Sequence, residues 1–400
     1  MRNVRTAKVS AICSWARMLQ QRFKRRYSHM DLHSVWAKPR YNRPMPPFIS
    51  RFVFFVFFLG LAVSPLRAQS WKTLTSGADS NLRGISAAKI PSTGRIAIWA
   101  SGSHGVILRS LDDGATWTSL SVPGQPDLDF RGIVAISENT AYLMASGEGD
   151  KSRIYKTTNG GQSWTQQYTD VNQSFFLDSI ACLSETICFA LGDPIDRKFL
   201  ILHTTDGQKW IPFPPQNRPD ALPKEGAFAA SNSNLLVLSE SELYVVTGGF
   251  AARVLHTTDA GESWFAAAVP IAADNASSGI FAITRSPESQ LVAVGGDYAN
   301  PTIALRIAAF FNPVASEDST TAWHSPAQQP NGYRSAVAAL NAKSFLTVGP
   351  TGSALSNDNA AHWKSFPAPP LNALFALDET HIYAAGPKGL VAQFVPASPK

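Results

Sequence analysis

The chain has 400 residues and a formal net charge of +6. Hydrophobic content of 44% with 10% aromatics excludes global disorder. Only 16% charged residues, beside 27 Gly and 27 Pro, point to short strands and turns rather than long surface helices.

The charge is unevenly placed. Residues 1–68 carry 13 Lys/Arg and one acid, Asp31, a net of +12; the remainder carries 22 Lys/Arg and 28 Asp/Glu, a net of −6. The basic balance therefore belongs to a leader, and a nucleic acid partner is not expected. Residues 52–63, FVFFVFFLGLAV, are apolar and uncharged, too short for a comfortable membrane span and right for a signal-peptide core. Ser64-Pro-Leu-Arg-Ala68 supplies a cleavage site, leaving Gln69 as the new N-terminus. A complete signal pattern begins at Met45, which, or else Met30, is read as the true start; an uncleaved anchor and a basic cytoplasmic extension are the alternatives. The mature chain is expected to be exported, to the periplasm or outside the cell.

Residues 69–396 read as one domain, followed by a short tail, 397–400. One motif recurs: Ser110-Leu-Asp-Asp-Gly-Ala-Thr-Trp117, Thr157-Thr-Asn-Gly-Gly-Gln-Ser-Trp164, Thr204-Thr-Asp-Gly-Gln-Lys-Trp210 and Thr257-Thr-Asp-Ala-Gly-Glu-Ser-Trp264. Ser356-Asn-Asp-Asn-Ala-Ala-His-Trp363 is a degenerate copy, and Trp71 and Trp323 are endpoints without the motif. Successive Trp lie 46, 47, 46, 54, 59 and 40 residues apart. A strand-rich period in the forties indicates a propeller blade of four strands. The expected turn roles are acceptance of backbone N–H bonds by Asp112, Asn159, Asp206, Asp259 and Asp358, and positive φ at Gly114, Gly161 and Gly261. Trp117, Trp164, Trp210, Trp264 and Trp363 are expected to fill the space between blades, each indole N–H satisfied near the rim.

Each unit has a short inner strand and then a strand ending in Gly (Gly147, Gly192, Gly248, Gly295, Gly349), where backbones approach closely or φ is positive. Cys182 and Cys188 flank a Ser-Glu-Thr hairpin turn, where a disulfide is plausible in an exported chain and two buried thiols are the alternative. The tail supplies three strands and Ser70–Leu74 a fourth. Joining them gives a seventh blade, so the predicted fold is all-β, a seven-bladed propeller, with six blades as the other count.

The Thr-Thr-Asp-x-Gly-x-Ser-Trp copies resemble the BNR/Asp-box repeat. The 47-residue unit, the Gly-ended second strand and the export signal resemble the photosystem II stability/assembly-factor-like propellers, over nearly the whole mature chain. That resemblance implies a non-catalytic scaffold that helps assemble a membrane complex on the far side of the membrane. The repeat also occurs in sialidases, other glycosidases and sorting receptors.

Catalytic motifs are lacking in the sequence, and no cofactor or metal site is expected. His203 and His256 hold equivalent positions before the motif, in different blades, and read as packing or exposed residues. The functional candidates lie at the starts of the inner strands: Arg83, Arg131, Asp178, Arg334 and Asn372, with Asp193 and Asp297 on loops after second strands. Such residues converge on the mouth of the channel, a polar binding surface for a protein segment or a glycan. The enzyme alternative is sialidase-like, with three Arg clamping a carboxylate and Tyr298 and Glu225 as nucleophile and activator. The expected partner is a protein, the expected state a monomer, and membrane association is expected only through that partner.

Overall fold

The computed structural model describes residues 68–311 and 323–397. The leader, the signal-peptide core and the start at Met45 lie outside the described residues, as does the end of the tail.

The described chain is all-β and forms seven antiparallel blades, each with four main strands. The first blade is Leu82–Lys89, Ile96–Gly102, Ile107–Ser110 and Thr118–Leu120. The next four begin with inner strands Phe130–Ala135, Leu177–Cys182, Leu235–Val237 and Ser278–Arg285, and the sixth with Ala336–Ala339. The seventh is Ala373–Ala376, Ile382–Ala385 and Leu390–Val395, with Ser70–Thr75 hydrogen-bonded as its outermost strand, Ser70 opposite Val395 and Thr75 opposite Leu390. The fifth blade gains two short inner strands, Glu225–Gly226 and Gly248–Gly249, borrowed from flanking segments.

The core is seven separate clusters, each between two successive blades. Leu74, Ile85, Ile98, Tyr383 and Val391 join the seventh blade to the first, with Trp117 packed against them. Trp164 sits at the first joint after that, Trp210 at the next, and Trp264, Trp323, Trp363 and Trp71 at the remaining four. Seven Trp spaced by one blade therefore supply one large side chain to each of seven joints.

The recurring turn explains its own composition. The Thr257 hydroxyl donates to Asp259 at 2.7 Å and accepts from the Gly261 N–H at 2.9 Å; Asp259 in turn accepts from the Ser263 N–H at 2.9 Å and its hydroxyl at 2.5 Å. Ser110/Asp112/Thr116, Thr157/Asn159/Ser163 and Ser356/Asp358/His362 repeat the pattern. The Thr204/Asp206 turn is one residue shorter and closes on Gly207.

The glycine has a second duty. Gly114 has φ +86°, and a Cβ there would lie 2.5 Å from Leu74 Cδ1, on the outer strand of the preceding blade. Gly161 meets Leu120 in the same way and Gly261 meets Phe213. The turn is thus the socket into which the neighbouring blade seats a side chain.

The expected satisfaction of every indole N–H needs correction. Trp117, Trp210, Trp264 and Trp71 donate to Gly114 O, Gln167 Oε1, Asn217 O and Ser353 Oγ. The N–H groups of Trp164 and Trp363 have no partner. Trp164 packs edge-on to the buried Trp99 and Trp363 is wholly buried, so ring packing takes precedence there.

The strand-end glycines answer to close approach rather than to positive φ. A Cβ at Gly192 would lie 2.5 Å from the Phe176 carbonyl oxygen, and Gly349 would meet that of Tyr333. Both are carbonyls of the segment entering the adjacent inner strand. Cys182 and Cys188 are paired across the hairpin and joined by a disulfide. His203 packs edge-on to Phe189 and Phe213, and His256 stacks on Tyr244.

Candidate functional site

Antiparallel blades put the starts of the inner strands, the loops after the second strands and the links between blades at one end of the molecule. The recurring turns lie at the other end. A cavity of about 510 Å³ opens at the first end. Arg83, Arg131, Asp178, Asp193, Tyr298 and Asn372 all line it.

The local cause is a β-bulge. In the first blade the ladder passes from Leu82 to Gly84, in the second from Phe130 to Gly132, in the third from Leu177 to Ser179 and in the fifth from Ile280 to Ala282. The skipped residues are Arg83, Arg131, Asp178 and Phe281, and all four line the cavity. A bulge leaves one residue unpaired and re-aims its side chain.

Arg334 holds the matching position in sequence, but the sixth inner strand starts at Ala336 with an unbroken ladder. The Arg334 side chain is fully buried away from the cavity; its Nη1 donates to Tyr333 O at 3.0 Å and Thr351 Oγ1 at 2.5 Å, and burial lowers its pKa to about 10. Arg334 is therefore corrected from a mouth residue to a buried brace. Asp297 is corrected likewise. It accepts bonds from Ser277 Oγ, Asn275 Nδ2, Asn300 Nδ2 and the Ala299 N–H. Burial opposes its ionisation, but these bonds prevail and hold the carboxyl below the usual range.

The sialidase-like arrangement is not assembled. The third arginine is absent from the cavity, and Glu225 is committed to Arg253 (Nε 2.8 Å, Nη2 2.5 Å), Thr247 Oγ1 at 2.6 Å and the Leu222 N–H at 2.7 Å. Its side chain has no exposed surface.

The segment 227–234 crosses the mouth. Ala229 O accepts from Arg131 Nη1, Asn232 exchanges two bonds with the Ile180 backbone, and Ser231 Oγ donates to Ser335 O at 2.6 Å. It carries Phe228, stacked on Phe281 with centroids 4.1 Å apart; Tyr298 stands edge-on to both rings. Sequence reasoning missed this aromatic wall. Its signals were the 54-residue interval between Trp210 and Trp264 and the alignment of Phe281 with Arg83 and Arg131.

The electrostatics of the cavity are mixed. Arg131 is held by Asp129 at 2.7 Å. Arg83 is half-buried, its Nε has no partner, and burial and then Arg131 lower its pKa. Asp178 is fully buried and neither carboxylate oxygen has a hydrogen-bond partner. Burial pushes its carboxyl well above the ordinary range; Asp193 adds to this, while Arg131 and the Ala229 N–H, which faces the carboxyl without closing a full hydrogen bond, oppose it. Burial also raises Asp193, against the Ala227 N–H that bonds it at 3.0 Å. Loops at this end of the blades expose Val171, Leu222, Phe250, Tyr298, Ile303 and Leu305.

Fold and cavity together define a seven-bladed repeat propeller with a polar, aromatic-walled cavity at the mouth of its inner strands. No family model matches the chain. In sequence it is similar to the photosystem II assembly lipoprotein Ycf48 of Synechococcus sp. (strain CC9902), 37% identical over 76 residues, 18% of this chain. The match spans about one fifth, 20%, of that relative's length. In fold it is similar to a structure described as YCF48 bound to D1 peptide, with a TM-score of 0.59 and 16% identity over 82% of this chain and 98% of that one. YCF48 from Cyanidioschyzon merolae gives 0.58 and 15% over 81% and 98%. A GH74 xyloglucanase from Xanthomonas campestris gives 0.56 and 16% over 81% of this chain and 53% of its own. The resemblance to photosystem II assembly-factor-like propellers thus holds in fold across the described chain and in sequence over that stretch.

Proposed function

We propose that this chain is an exported, non-catalytic scaffold that binds a protein segment at the mouth of its inner strands. It serves the assembly or stability of a membrane or envelope complex and meets the membrane only through that partner. One observation carries the reading: Arg83 and Arg131, re-aimed by bulges into one cavity, lie in a face that also exposes six large apolar side chains. Charged anchors on an end that also exposes apolar side chains suit a protein surface better than a small neutral ligand. The likeness to a propeller described as bound to a peptide supports the same class of partner. The N-terminal signal pattern supports export.

The test is capture of crosslinked partners from detergent-solubilised membranes, with the wild-type protein and an Arg83→Glu/Arg131→Glu variant that keeps its thermal transition. A reproducible partner lost in the variant is expected. Equal capture by both proteins, or no captured partner at all, overturns the reading.

A further inference from the structure

The arginines account for only half of the cavity's chemistry. Asp178 is wholly buried, lines the cavity from a bulge, and has no hydrogen bond to either oxygen. Buried carboxylates are ordinarily hydrogen-bonded or ion-paired, because an unpartnered one carries its full desolvation cost. Arg131 relieves it only through space: no hydrogen bond joins the two, and its Nε bonds Asp129 and its Nη1 Ala229 O. Asp193 lines the same cavity, with one oxygen bonded to the Ala227 N–H. The charged groups facing Asp178 are thus one like charge, Asp193, and one cation already paired with Asp129, Arg131. Two carboxylates fall short of the six to eight oxygens that Ca²⁺ takes. They do suit one organic cation, whose apolar stem can lie against the half-buried Phe228 in the same cavity.

We propose that Asp178, with Asp193, forms a cation subsite in this cavity that receives a lysine or arginine side chain of the bound protein segment. This rests on the protein-binding reading and adds the chemistry of the ligand. The inserted ammonium or guanidinium donates hydrogen bonds to the Asp178 oxygens, and its alkyl stem lies along the aromatic wall. Arg83 stays available for a carboxylate on the same segment, so the site selects a segment carrying both signs of charge.

The test is calorimetric titration of the purified protein with blocked tripeptides, Ac-Gly-Lys-Gly-NH2 and Ac-Gly-Arg-Gly-NH2. Ac-Gly-norleucine-Gly-NH2 and the free diamine cadaverine are the comparison probes. Saturable binding of at least one basic peptide is expected, with at least tenfold loss in Asp178→Asn, several-fold loss in Asp193→Asn and no saturation by the norleucine peptide. Thermal unfolding checks that both variants fold. Unchanged binding in Asp178→Asn overturns the proposal. So does equal binding of the norleucine peptide, or saturation by cadaverine without either basic peptide, which makes the ligand a free amine. If basic peptides bind in this pattern but membranes yield no partner, the scaffold reading fails and the cation subsite stands.

Discussion

Substituting Gly114 and Leu74 together tests the joint between the two ends of the domain. Leu74 is on the first described strand and Gly114 is in the first blade, yet a Cβ on Gly114 would sit 2.5 Å from Leu74 Cδ1. Gly114→Ala suffers two penalties. Its φ of +86° costs an L residue about 1–2 kcal/mol, and the overlap with Leu74 costs about 1–3 kcal/mol. Leu74→Ala removes a buried side chain and costs about 2–5 kcal/mol. In the double variant the overlap disappears and the new methyl fills part of the vacated space. The double should therefore be less destabilised than the sum of the singles by about 1–3 kcal/mol. Urea unfolding of the four proteins at one temperature measures this, provided the m-values agree. Leu120→Ala with Gly161→Ala should couple equally, and Leu74→Ala with Gly161→Ala should be additive. Additivity within about 0.5 kcal/mol for Leu74 with Gly114 refutes the argument that the N-terminal strand seats in the first turn's socket.

Three further outcomes are expected. Asp178→Asn should stabilise the protein at pH 7.5 by about 1–3 kcal/mol, since an unpartnered buried carboxylate is removed. The Asp178 pKa is raised in the fold, so its contribution is fully present below the unfolded pKa and is lost as pH rises. The gain should therefore shrink toward acid pH in melting curves, and parallel curves contradict it. Asp259 behaves oppositely: the Ser263 hydroxyl, the Ser263 N–H and then Thr257 hold its pKa at about 2. Its stabilisation is present above the unfolded value and lost as pH falls toward 2, so Asp259→Asn should be less acid-sensitive than wild type between pH 4 and 2 in the same melts. Reduction of the Cys182–Cys188 bridge, which spans six positions, should cost about 2 kcal/mol of stability, read as a melting point a few degrees lower.

The blade count was legible because every signal for it is local. The turn needs its hydroxyl, carboxylate and glycine within five positions, and the Trp that follows marks one joint. The site was legible only in part. Arg83, Arg131 and Arg334 look alike in sequence, Leu-Arg-Gly, Phe-Arg-Gly and Tyr-Arg-Ser, but two lie on bulges and one does not. A bulge is a relation between two strands, fixed by how the second strand's carbonyls and glycines meet the first. It leaves no mark in the inner strand alone. Asp297 failed for a different reason: the Ser277, Asn275 and Asn300 groups that consume its oxygens come from two loops on one face. The 227–234 segment failed because an interval of 54 residues says that chain is added, not where it goes.

The two ends of the propeller obey separate constraints. At the turn end, each glycine, carboxylate and Trp contributes to a joint between blades, so a change there is read as stability. At the cavity end, a bulge in four of the seven blades lifts one residue out of the ladder and leaves its side chain free of any role in the ladder. Four such residues are Arg83, Arg131, Asp178 and Phe281: two cations, an anion and an aromatic. Packing does not demand that mixture, since neither the Asp178 oxygens nor the Arg83 Nε has a partner. Residues that cost the fold stability while facing a shared cavity are those whose partners are expected to come from outside. Substitutions of Arg83 and Asp178 should therefore change binding at little or negative cost to stability, whereas the buried Phe281 and the paired Arg131 serve packing as well, and substitutions at the turns should be read mainly as stability.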